Sequence, residues 1–237
     1  MLKNLFVSSL IGLMIISSVS CDQNVKAKSG KEGVSVTIVG DFSESSIASF
    51  KKENFEALIN KIIKGLEIRS GLDKVNIVLV NHKGVKKIIS LSGAYNAGEL
   101  KTLISESTIP DKKGTGTPLG EGLIQGIIIA IADNDKAKRV IVFLSDGADE
   151  KGSFNKNLQN INDSVLNKFL IKAKKEKIDL VAFIGIDDRF ENKLNKVKNG
   201  LPSDKFFLST LAREKVADFS YGYKEVLKKV NRLEDWF

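Results

Sequence analysis

Val34-Ser35-Val36-Thr37-Ile38-Val39-Gly40-Asp41-Phe42-Ser43-Glu44-Ser45 is the stretch that decides the fold of this chain. Its first six residues form a β-branched run, the composition of a buried strand. The run stops at Gly40-Asp41. Beyond it Phe55, Leu58, Ile59, Ile62, Ile63 and Leu66 recur at helical spacing with one apolar face. Strand, polar loop and helix make the opening of a βα unit. The loop inside it carries oxygen-bearing side chains at Asp41, Ser43 and Ser45.

The same alternation continues outward. Val75 to Val80 reads as a second strand, and Lys86 to Leu91, after a turn at Asn81 to Gly84, as its hairpin partner. Gly98 to Ser105 reads as a short helix. Thr117-Pro118 opens a longer one, with threonine suited to the N-cap and proline to the first helical position. Leu123, Ile124, Ile127 and Ile128 make that helix apolar on several sides, which places it centrally. Arg139 to Leu144 is a buried strand closed by Ser145-Asp146-Gly147. A helix through Leu158, Ile161, Val165, Phe169 and Ala173 follows, then a strand from Ile178 to Ile186. A helix from Phe190 to Val197, a strand from Lys205 to Leu208 and a helix from Val216 to Leu233 complete the pattern.

Strands alternating with helices predict an α/β fold: a Rossmann-like, doubly wound, mostly parallel sheet of about six strands, with one antiparallel edge strand and helices on both faces. Ligands of such folds bind beyond the carboxyl ends of the strands. Two strands here run into an aspartate at that end, Asp41 and Asp146. Asp41, Ser43 and Ser45, at i, i+2 and i+4 in a turning loop, can aim three oxygens at one spot near a helix N-terminus. Carboxylate and hydroxyl oxygens are hard ligands, matched to Mg²⁺, Mn²⁺ or Ca²⁺ rather than to Zn²⁺.

These motifs carry a resemblance. Asp41-Phe42-Ser43-Glu44-Ser45 matches the Asp-x-Ser-x-Ser motif of von Willebrand factor A domains. Gly116-Thr117-Pro118-Leu119-Gly120 is similar to that family's threonine loop, and Leu144-Ser145-Asp146-Gly147 to its aspartate loop. The three occur in order, over a similarity spanning roughly residues 33 to 233. The resemblance implies a metal-ion-dependent adhesion site. Ser43, Ser45 and Thr117 would ligate through hydroxyls, with Asp41 and Asp146 acting directly or through water. A partner's carboxylate would complete the shell. Mg²⁺ suits an exchangeable ligand because it retains waters readily, with Mn²⁺ and Ca²⁺ as alternatives. Glu44 departs from the glycine often found there, and Thr115 is a rival to Thr117 for the threonine role.

The chain has 237 residues, of which 42% are hydrophobic, enough for one domain with a substantial core. One cysteine excludes an internal disulfide and any Cys-rich zinc site. The net charge of +8 comes from lysines spread through nearly every segment, in pairs such as Lys51-Lys52, Lys112-Lys113 and Lys228-Lys229. No aromatic residues interleave with them, so they read as solvated helix faces and not as a nucleic-acid surface.

Residues 1–20 read as a secretory signal: Lys3, an apolar run from Leu5 to Ile16, then Ser17-Ser18-Val19-Ser20 before Cys21. The run is shorter than the roughly 20 residues that a spanning helix needs. Cys21 at the cleavage point resembles the lipobox cysteine of bacterial lipoproteins, although Ser18 stands where an aliphatic residue is usual. Residues 21–32 then form a lipidated cysteine and polar tether, and 33–237 the folded domain. The expected product is a lipid-anchored protein of the bacterial cell envelope, at the surface or in the periplasm. It would bind a protein or extracellular-matrix ligand and would not be an enzyme. An envelope-complex scaffold of the same family is the alternative.

A haloacid-dehalogenase-type phosphatase is the enzymatic rival. It too uses an aspartate after the first strand, and Asp187-Asp188 resembles its late acidic pair. Its general acid would stand two residues after Asp41, where this chain has Ser43. Asp187 and Asp188 then read as caps of the following helix. No phosphate-binding Gly-x-x-x-x-Gly-Lys-Ser/Thr run occurs, and His82, the only histidine, sits beside a predicted hairpin turn.

Overall fold

The computed structural model describes residues 33–43, 46, 73–81, 84–91, 118–132, 138–147, 163–198 and 200–210, together with 57, 59, 60, 64, 102, 222, 225, 226 and 228. All of them lie in the second of two units into which the chain divides, Glu32–Phe237. The strands are β1 (Val34–Asp41), β2 (Lys74–Asn81), β3 (Gly84–Leu91), β4 (Lys138–Leu144), β5 (Leu180–Ile186) and β6 (Phe206–Thr210). Among the described residues, the helices with a continuous range are α1 (Leu119–Ile131), α2 (Asp163–Lys175) and α3 (Asp188–Lys198). The strands form one sheet in the order β3-β2-β1-β4-β5-β6. All neighbours pair in parallel except β2 and β3, which form the expected antiparallel edge.

This order decides where a site can form. From β1 the chain builds outward through β2 and β3, then returns to the other side of β1 for β4, β5 and β6. The direction of winding reverses between β1 and β4, a switch point at which sheets of this kind place a crevice beyond the carboxyl ends of the strands. Asp41 closes β1 there, and Asp146 lies two residues past β4.

Both faces of the sheet are buried along β1, β2, β4 and β5, which is why these strands read as apolar runs and not as alternations. Val39, Val78, Val80, Ile141, Phe143, Val181, Phe183, Phe206 and Leu208 pack in one cluster with Leu119, Leu123 and Ile127 of α1 and Leu166 and Phe169 of α2. Phe143, Phe169, Phe183 and Phe206 stack in this layer with ring centroids 5.4–6.5 Å apart. The alternate strand residues, among them Val36, Ile38, Ile77, Val142 and Ile184, are equally buried, as are the helical residues Ile59 and Val226.

Helix α1 lies against β1 and β2 at a distance that only glycine permits. A Cβ on Gly122 would fall 2.4 Å from Val80 Cγ2, and one on Gly126 2.7 Å from Val39 Cγ2. These glycines set the helix that follows the threonine loop tightly on the two strands beside the crevice.

Several boundaries differ from expectation. Pro118 takes the cap position instead of the first helical turn: its ψ of 63° is not helical, and its carbonyl accepts the first helical bond from Gly122 N–H. The strand expected from Ile178 begins at Leu180, because Lys177 has a left-handed φ of 54° and turns the chain. The last strand runs later, Phe206–Thr210, since Ser203–Lys205 form a 3-10 turn. Helix α3 spans Asp188–Lys198, longer than the expected Phe190 to Val197. The helices expected over 55–66, 98–105 and 216–233, and the first turns of the helix expected from Leu158, fall wholly or mostly outside the described residues.

Candidate metal centre

The crevice is built by two short turns. At the end of β1 the side chains of Asp41 and Ser43 flank Phe42, whose ring is buried and whose N–H bonds the carbonyl of Val80 at 2.8 Å. Anchoring Phe42 in the core fixes the turn. The turn is further closed by the Ser43 N–H, which donates to Asp41 Oδ1 at 2.9 Å, an Asx-type local bond. At the end of β4 the Gly147 N–H donates to Ser145 Oγ at 2.9 Å, closing a similar turn. Gly147 has φ +89°, a conformation that side chains rarely adopt, and a Cβ on it would lie 3.1 Å from the Phe190 ring.

The two turns are locked together through Asp41. Its Oδ2 accepts the Ser46 hydroxyl at 2.8 Å and the Ser145 hydroxyl at 2.7 Å. Ser46 Oγ in turn accepts the Asp146 N–H at 3.2 Å, and the Ser46 N–H donates to Ser43 Oγ at 3.4 Å. Asp187 N–H bonds the Asp146 carbonyl at 2.9 Å, which ties the end of β5 to the same cluster. Asp41, Ser43, Ser46, Ser145 and Asp146 are all buried.

Of the residues singled out in the sequence, Asp41, Ser43 and Asp146 are therefore brought together at one edge. Ser45, Thr117, Glu44, Thr115 and Cys21 lie outside the described residues, as does His82. Ser46 and Ser145 carry a role that the sequence reading did not assign. Each stands beside a residue of a recognised motif, and that adjacency was the available signal. Asp187 caps α3 as expected, its carboxylate accepting the Arg189 N–H at 2.9 Å, whereas Asp188 is the helix's first residue.

Electrostatics favour a cation here. Burial first, and the neighbouring Asp146 carboxylate second, push the Asp41 carboxyl up from 3.8 to about 6. The hydrogen bonds from Ser145 and Ser43 oppose both. Two carboxylates taken out of water side by side repel, and a divalent ion between them reverses the sign of the interaction. Among the described residues no three His, Cys, Asp or Glu side chains form a metal-holding group. A cation here would draw further donors from hydroxyls, and Ser43 is placed to be one. The donor set is all oxygen and fits Mg²⁺, Mn²⁺ or Ca²⁺.

The model of the von Willebrand factor type A domain matches residues 35–220. No curated protein matches the chain. Among solved structures, the SpaC pilus adhesin of Lactobacillus rhamnosus GG is similar with a TM-score of 0.54 at 15% identity, over 85% of this chain and 30% of the adhesin. The SpRpn10 VWA domain gives 0.54 at 14% identity, over 75% of this chain and 87% of that domain. Proximal thread matrix protein 1 of the mussel byssus, with a zinc-occupied MIDAS motif, gives 0.53 at 13% identity, over 85% of this chain and 46% of that protein. The chain thus spans under a third of the adhesin and under half of the mussel protein. At these identities the likeness is one of fold.

Proposed function

The chain belongs to the von Willebrand factor type A family, and we propose that it binds one divalent cation through Asp41, Ser43, Ser45, Thr117 and Asp146, and through that ion an acidic group of a protein or extracellular-matrix partner. The observation that carries this reading is the convergence of Asp41, Ser43 and Asp146 at the switch point of the sheet, with the Asp41 carboxyl pushed up to about 6 by burial and by Asp146. The mussel protein's occupied motif supports a divalent ion, and the pilus adhesin supports an adhesive role. Mg²⁺ is the favoured ion, with Mn²⁺ and Ca²⁺ as alternatives.

The residues divide the work. Asp41 braces: with Oδ2 accepting two hydroxyls, it holds the two loops in register and offers its remaining capacity through Oδ1. Ser43, Ser45 and Thr117 supply neutral oxygens, and Asp146 a charged one. A bound ion would act as a Lewis acid with a position open to an external carboxylate. Neutral hydroxyl donors leave it more electron-poor than a cage of carboxylates would. The residue two after Asp41 is Ser43 and not the carboxylic acid a phosphatase of this type would need, which favours a binding role over the phosphatase reading.

Residues 1–20 are proposed as a lipoprotein signal, Cys21 as the lipidated residue, 22–32 as the tether and 33–237 as the domain, held at the bacterial cell envelope. Among the described residues no helix is long and apolar enough to cross a membrane.

Thermal melting with Mg²⁺, Mn²⁺ and Ca²⁺, each followed by chelator, tests the metal. Wild type should gain on the order of 2–3 kcal/mol at a hundredfold excess over Kd, while Asp41→Asn and Asp146→Asn should gain far less. A wild type indifferent to all three ions would overturn the reading. Capture of membrane proteins with metal and release by chelator then identifies the partner.

A further inference from the structure

Arg189 stands at the rim of the same crevice and is held there in a fixed pose. Its Nε donates to Asp187 Oδ1 at 2.9 Å and its Nη2 to Asp187 Oδ2 at 2.8 Å, a two-point pairing with the residue whose N–H bonds the Asp146 carbonyl. The guanidinium also lies over the Phe190 ring, 5.4 Å from its centroid. Phe190 in turn abuts Gly147, the residue after Asp146. Asp187, Arg189 and Phe190 therefore ride on the aspartate loop as one block.

Two features set this pair apart from an ordinary surface ion pair. Its side chain is 70% exposed although both ends of the guanidinium's inner edge are engaged. The bonds from Nε and Nη2 leave both hydrogens of Nη1 and one of Nη2 directed away from Asp187, and that outer edge matches a second carboxylate. The hydrogen bond to Asp187 raises the Arg189 pKa above its ordinary value, and the Asp146 carboxylate adds to this through space. The Arg189 charge is thus permanent and within electrostatic reach of Asp146.

We infer that Arg189 is a second recognition point beside the cation, so that the preferred partner is an acidic protein segment presenting two carboxylates, one for the ion and one for the outer edge of this guanidinium. The inference rests on the metal-binding reading above and specifies its partner. It also gives Arg189 two effects of opposite sign. A fixed positive charge near Asp146 disfavours the ion, yet it favours the anion that follows.

Mg²⁺ titration of the full-length protein, followed by NMR titration of the Mg²⁺-saturated protein with acetate and with glutarate, tests this. Wild type should bind glutarate more tightly than acetate by about two- to fivefold, the range of an exposed charge pair. Arg189→Gln should erase that preference while binding Mg²⁺ as well as wild type or better, and Arg189→Lys should keep part of the preference. If Arg189 only braces α3, Arg189→Gln will lower the melting temperature and leave the glutarate preference intact, which overturns the inference. Equal binding of the two acids by wild type overturns it also, with the Mg²⁺ response still standing for the metal site. No Mg²⁺ response in wild type removes the metal site and this inference with it.

Discussion

The Ser145 hydroxyl donates to Asp41 Oδ2 at 2.7 Å, joining positions 104 residues apart in the chain. This bond fastens the end of β4 to the end of β1 in the interior, where a charged acceptor strengthens it. The geometry of the crevice depends on it, because the Asp146 carboxylate follows directly from Ser145.

Ser145→Ala should therefore cost about 1–3 kcal/mol of stability, the price of leaving a buried carboxylate short of one donor. It should also move the Asp41 carboxyl further up, since the Ser145 bond is the largest of the effects that lower it. Urea denaturation at neutral pH measures the first effect as a lower midpoint at unchanged slope. A pH series of the same experiment measures the second.

Metal-free protein should lose stability as pH rises from about 4 to about 6. The folded Asp41 carboxyl titrates at about 6 and the unfolded one at 3.8. Between those values the folded state holds a proton that the unfolded state has released. Stability is thus fully present below the unfolded value and is lost as pH rises through the folded one, by on the order of a few kcal/mol. Asp41→Asn should flatten that decline. Saturating Mg²⁺ should oppose it, because a bound cation favours the ionised carboxylate, and Mg²⁺ affinity should weaken as pH is lowered.

Gly122→Ala should destabilise the domain although alanine favours helix by about 1 kcal/mol over glycine. The added Cβ would lie 2.4 Å from Val80 Cγ2, so α1 must lift or β2 must yield. Such overpacking costs about 1–3 kcal/mol. A lowered melting temperature with a weakened Mg²⁺ response is expected, because the same helix begins just after the threonine loop. An unchanged melting temperature would show that the contact relaxes without cost.

Cys21→Ser should release the protein from membranes. The expected measurement is a shift from the membrane to the soluble fraction, with mass spectrometry of wild type finding the lipid on Cys21. An unmodified, cleaved N-terminus in wild type would refute the anchor.

The strands and their order of burial were legible because burial on both faces demands continuous apolar runs, as in Val34–Val39 and Arg139–Leu144. The antiparallel β3 was legible from the short Asn81–Gly84 turn, where Gly84 adopts φ +124°. Boundaries were less so. Ile178 is as apolar as Leu180, but Lys177 turns left-handed to close α2, with the Ile178 N–H bonding the Ala173 carbonyl, and no periodicity records it. Pro118 has the composition of a first helical residue, and only its ψ shows that it is the cap.

For the site, the sequence by itself determined which oxygen donors exist, that Asp41 ends a strand and that Asp146 lies just past one, because motif spacing and strand termini are local properties. Tertiary structure alone decided that β1 and β4 are neighbours, and hence that Asp41 and Asp146 share one crevice. It also decided that Ser46 and Ser145 brace that pair and that Arg189 stands at its rim. Those relations arise from sheet order and from hydrogen bonds between residues far apart in the chain. A serine's sequence neighbours do not show which carboxylate it will meet once the sheet has closed around it.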